Sequence, residues 1–89
     1  MGFFKDVKTM LEDMELRLKE VIGDFENGTS IEKTKSNLQQ LLDEATLWKI
    51  ELEDDPDMIA LLNNIIVKIK TARIEVYNYS ANNINNTGI

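Results

Sequence analysis

An unbroken heptad pattern constrains this chain more than any other feature. Phe4, Val7, Leu11, Met14, Leu18, Val21 and Phe25 follow one another at alternating steps of three and four. That spacing keeps every one of these side chains on a single stripe of an α-helix, the a/d seam of coiled-coil packing. A second run repeats it: Ile31, Thr34, Leu38, Leu41, Ala45, Trp48 and Leu52. A third follows at Met58, Leu62, Ile65, Ile69, Ala72, Val76 and Tyr79. No strand places its apolar residues this way, since a strand alternates with period two.

Breakers separate the three runs. Asn27-Gly28 is a turn dipeptide whose glycine suits a left-handed helix end. Thr29 and Glu32 stand three apart, the spacing of a capping box, with Ser30 as the other candidate N-cap. Pro56 pushes the residue before it out of the α region and so closes the second run. The same segment opens the third: Asp55 suits an N-cap, Pro56 the first helical position, and Asp57 the positive end of the helix dipole. The expectation is therefore helices over about 3–26, 30–53 and 56–79, in one domain spanning 1–80. Residues 81–89, uncharged and rich in asparagine, are expected to form a flexible, disordered tail. Each segment would span roughly 36 Å. The connections are short, so neighbours run antiparallel. The fold class predicted is all-α, an antiparallel up-down-up three-helix bundle. A helical hairpin whose third helix packs only in an oligomer shares the same periodicity.

Eighty-nine residues leave no room for a second domain. The chain has no Cys and no His, which removes thiol and imidazole chemistry and any zinc site built on them. Seryl nucleophiles at 30, 36 and 80 have no base at motif spacing. The carboxylates of the first helix lie off its seam, with Asp13–Arg17 and Glu15–Lys19 expected as i,i+4 pairs. Glu51, Glu53, Asp54, Asp55 and Asp57 form the densest acidic cluster. A calcium loop would place such oxygens at alternating positions around a glycine, and none is present, so a solvated, capped helix junction is the reading. The sequence thus predicts no catalytic residue, no metal site and no cofactor.

The formal net charge is −6, which argues against a phosphate-binding surface, and nucleic acid is not an expected partner. Lys68, Lys70 and Arg73, near Tyr77 and Tyr79, are the one basic–aromatic grouping. Trp48 is read as a core residue. No apolar run reaches the length of a membrane span or a signal peptide, and the expected location is cytoplasmic. Ile, Asn and Lys outnumber Ala, Gly, Pro and Arg by 27 to 11, a bias expected of an AT-rich bacterial or phage genome.

The third helix departs from the pattern of a bundle helix, which is polar on its far side. Opposite its seam stand Ala60, Val67 and Ile74, with Ile59, Ile66 and Tyr77 beside them and Leu61 extending the coverage. Leu47 and Ile50 project from the second helix in the same manner. These eight residues (59, 60, 66, 67, 74, 77, 47 and 50) are the predicted protein interface. The function expected is a small, non-enzymatic protein–protein interaction module, self-associating through the third helix. The alternative is an acidic antagonist, of immunity type or a phage-encoded inhibitor, that occupies a basic site on a target protein.

Overall fold

A computed structural model describes the backbone of residues 2–87 and the side chains of 7–79. Three helices account for it: α1 (Gly2–Glu26), α2 (Ile31–Glu51) and α3 (Pro56–Thr87). They form an up-down-up bundle of extents 58 × 20 × 15 Å. Two cross-helix pairs fix the directions. Glu15 meets Lys68 and Phe25 meets Tyr79, nearly the same offset at both heights, so α1 and α3 run parallel. α2 lies antiparallel between them.

The core is the three seams closed on one another. Leu11, Met14 and Leu18 from α1, Leu38, Leu41 and Ala45 from α2, and Leu62, Ile65, Ile69, Ala72 and Val76 from α3 are all buried. Val7, Val21, Phe25, Ile31, Trp48, Leu52 and Met58 pack against that core as partly buried residues nearer the bundle ends. Phe4, the first seam position, lies outside the residues whose side chains are described. Thr34 is the one buried polar side chain among the described residues. Its hydroxyl donates to the Ser30 carbonyl at 2.9 Å, which satisfies the group where an unpaired hydroxyl would be costly.

The first turn is a Schellman closure. Gly28 takes φ +112°, a conformation open to a residue without Cβ. The Thr29 N–H donates to the Asp24 carbonyl at 2.9 Å and the Gly28 N–H to the Phe25 carbonyl at 3.1 Å, the two bonds that define the motif. Thr29 is thereby committed to ending α1. Ser30, not Thr29, caps α2, its Oγ accepting from the Lys33 N–H at 3.2 Å. The predicted Thr29–Glu32 capping box does not form.

The second turn follows the expected chemistry. The Asp55 carboxylate accepts from the Met58 N–H at 3.3 Å, ahead of Pro56 at the first helical position. α2 ends at Glu51 rather than 53: the Leu52 N–H still bonds to the Trp48 carbonyl, but Leu52 leaves the helical range at φ −101°, ψ 14°, and the Asp55 N–H closes a turn onto its carbonyl at 2.9 Å. α3 continues to Thr87, past the predicted end at 79 and through most of the stretch expected as a tail. No Gly or Pro occurs between Tyr79 and Gly88, so nothing in that stretch breaks the helical path. Residues 88 and 89 lie outside the described residues.

Candidate protein interface

Three faces of the bundle carry what chemistry the chain has. The first is the outward row of α3. Positions 60, 67 and 74 are spaced by seven, so they fall on one line of the helix, opposite the buried seam. Val67 and Ile74 are each 61% exposed, and Ala60 is exposed beside them. Ile59 and Ile66 are half-buried, and Ile66 packs against the core. They share a helix side with Tyr77, which turns toward α2. On α2, Leu47 and Ile50 are each 63% exposed. Six of the eight predicted interface residues are exposed and two, Ile59 and Ile66, are half-buried, Ile66 against the monomer's own core. Leu16 of α1 is a further exposed aliphatic, 57% accessible; it sits alone opposite its own seam.

The second face is the groove between α2 and α3 near the first turn. It encloses about 630 Å³ and is lined by Lys35, Ser36, Gln39, Lys70, Arg73, Ile74, Tyr77 and Asn78. Three cations and no acid stand on it, in a chain that is acidic overall. The Lys35 ammonium lies 5.3 Å from the centroid of the Tyr77 ring, a cation–π contact. None of Lys35, Lys70 and Arg73 makes an ion pair in the described structure. Ile74 belongs both to this groove and to the outward row. Lys35 was not singled out in the sequence, because its approach to Tyr77 depends on the azimuth of one helix against another.

The third face is the end of the bundle at the second turn. Glu51, Glu53, Asp54, Asp55 and Asp57 are all exposed there. Among the described residues, no three acidic side chains converge on a point that could hold a metal ion.

The remaining charges tie helices together. Arg17 reaches Glu44 through two parallel bonds, Nη1–Oε1 at 3.1 Å and Nη2–Oε2 at 2.7 Å. That fork geometry suits a guanidinium and a carboxylate. The hydrogen bonds from Arg17 hold the Glu44 carboxyl below its ordinary range, and those same bonds push the Arg17 guanidinium higher still. Lys68 donates to Glu15 at 3.0 Å. The predicted i,i+4 partners therefore give way to partners on other helices: Arg17 turns from Asp13 to Glu44, and Glu15 from Lys19 to Lys68. Both anions flank a seam, at heptad positions from which a side chain can reach across to the neighbouring helix. Of the basic–aromatic grouping, Lys68 is used in this bridge. Tyr79 packs edge-on against Phe25 with ring centroids 5.2 Å apart, and it remains half-exposed although it continues the seam.

No described helix is long and apolar enough to cross a membrane. No protein-family model, curated protein or solved structure matches this chain.

Proposed function

We propose that this chain is a small, non-enzymatic protein–protein interaction module that self-associates through α3, acting without a cofactor in the cytoplasm of a cell or phage host with an AT-rich genome. One observation carries the reading: α3 has two apolar faces and the monomer uses one. Its seam is buried from Leu62 to Val76, while Val67 and Ile74 stand more than half exposed on the opposite line. Isolated surface aliphatics are ordinary. Aliphatic side chains repeated at heptad spacing on one line are the pattern of a helix that meets another helix. A second copy is the simplest partner, since a two-fold interface needs only one surface.

Light scattering across a concentration series tests this. The expected result is a mass that rises from monomer to dimer and holds above about 0.2 M salt, where exposed charges are strongly screened. A monomer at every concentration would contradict it. The acidic end at the second turn supports a second reading, an antagonist that occupies a basic site on a target. In that case the contact would be with another protein, and it would fade over the same range of salt.

A further inference from the structure

We propose that two copies pair antiparallel along α3, about a two-fold axis at Val67, so that the second copy's Ile50 and acidic turn fill the cationic groove between α2 and α3. This rests on the self-association reading and adds its partner face, direction and register.

Direction follows from charge. Asp57 opens α3, with Glu53, Asp54 and Asp55 just before it, whereas Lys68, Lys70 and Arg73 occupy its later turns. Lys35 joins the basic end from α2. Parallel pairing would set acid on acid and cation on cation, and like charges in register select against an arrangement. Antiparallel pairing brings each acidic turn over the other copy's groove. The opposed helix dipoles favour the same direction.

Register follows from side-chain size. Ala60 and Ile74 each lie seven residues from Val67, about 10.5 Å along the helix. Antiparallel pairing about Val67 therefore sets Ile74 of each copy against Ala60 of the other, large against small. Parallel pairing would set Ile74 on Ile74 and leave a gap between two alanines. An axis lying in the interface also keeps the α2 sides together. Ile50, 63% exposed, then arrives at the height of Gln39, Arg73 and Ile74, which line the groove. A stable interface usually buries about 800 Å² per partner, more than Ala60, Val67 and Ile74 can supply. The added contact between α2 and the groove extends the interface toward that size.

The absence of cysteine makes disulfide trapping a clean test. A disulfide needs the two Cα atoms within about 7 Å. Single variants Val67→Cys, Ala60→Cys and Ile74→Cys are incubated in a glutathione redox buffer, with Leu16→Cys on the exposed face of α1 as the collision baseline. Val67→Cys is expected to link to itself well above that baseline. Ala60→Cys and Ile74→Cys are each expected to stay at baseline alone, since like positions would lie about 21 Å apart, and to link to each other when mixed.

Strong self-linking of both Ala60→Cys and Ile74→Cys would overturn the direction while leaving self-association standing. A wild-type dimer by light scattering with Val67→Cys at baseline would show that another face pairs. A wild-type monomer would remove the self-association reading itself. If that monomer bound a glutamate-rich amphipathic helical peptide, the groove would belong to a different chain, and the proposal would fall with it.

Discussion

The two apolar faces of α3 have nearly the same composition and opposite fates. Leu62, Ile65, Ile69, Ala72 and Val76 are buried to within a few per cent, while Val67 and Ile74, drawn from the same residue types, face water. Ile69 and Val67 are two residues apart. What separates them is azimuth alone: one points at the seams of α1 and α2, while the other stands at the rim of the grooves between α1 and α3 and stays mostly in water. Hydrophobicity marks a residue as able to pack, and position on the helix decides against what.

The sharpest way to break that comparison is to truncate one residue on each face. Ile69→Ala removes methylenes from a fully buried site and is expected to cost about 2–5 kcal/mol, read as a fall in the urea midpoint. Leu41→Ala and Ile65→Ala should cost the same order. Val67→Ala is expected to stay within about 0.5 kcal/mol of the parent when measured at dilution. Equal losses at 69 and 67 would mean that the outward row is part of the monomer core.

The glycines sharpen the lesson that position outweighs residue type. Gly28→Ala forces a Cβ into φ +112° and should destabilise by about 1–2 kcal/mol. Gly23 lies inside α1 with nothing within 4 Å of an added Cβ. Gly23→Ala should therefore stabilise by about 0.5–1 kcal/mol, by removing backbone freedom from the unfolded chain. Thermal melts of opposite sign are the expected result, and a loss in both would contradict the open surface at Gly23.

The smallest effect belongs to the Arg17–Glu44 bridge, which is partly exposed and so worth only about 0.2–1 kcal/mol at neutral pH. Glu44 has its carboxyl lowered in the fold. Its contribution is present above the ordinary carboxylate value and disappears as pH falls through the lower folded value. Arg17, raised from an already high value, stays charged throughout. Glu44→Gln should thus melt slightly below the parent at pH 7 and converge on it in acid. A gap that widened on acidification would reverse the assigned sign.

Much of this was legible in the sequence because it depends on spacing along one chain. The three seams, the break at Gly28 and the cap at Asp55 follow from period and local backbone chemistry, and the buried residues from Leu11 to Val76 are seam positions. What depends on two helices at once was not legible. Arg17 could reach Asp13 or Glu44, and only the rotation of α2 against α1 decides between them. Lys35 meets Tyr77 for the same kind of reason. Thr29 and Ser30 were both plausible caps, and the Schellman bond from Thr29 to Asp24 resolved the choice through the preceding helix. The end of α3 was missed because asparagine weakens a helix without stopping it. Of the predicted interface, the outward row was legible as a repeat of seven, whereas the packing of Ile66 against the core depends on how the neighbouring helices sit.

The most direct test of the two-faced helix is Val67→Glu, read at once by light scattering and by circular dichroism. A glutamate there would have to be desolvated at a contact between copies while leaving the seam of the monomer untouched. The expected result is unchanged helicity, a melting point at dilution close to that of the parent, and loss of the dimer. A variant that unfolds would place Val67 in the monomer core, and one that associates as the parent does would show that the outward row of α3 binds nothing.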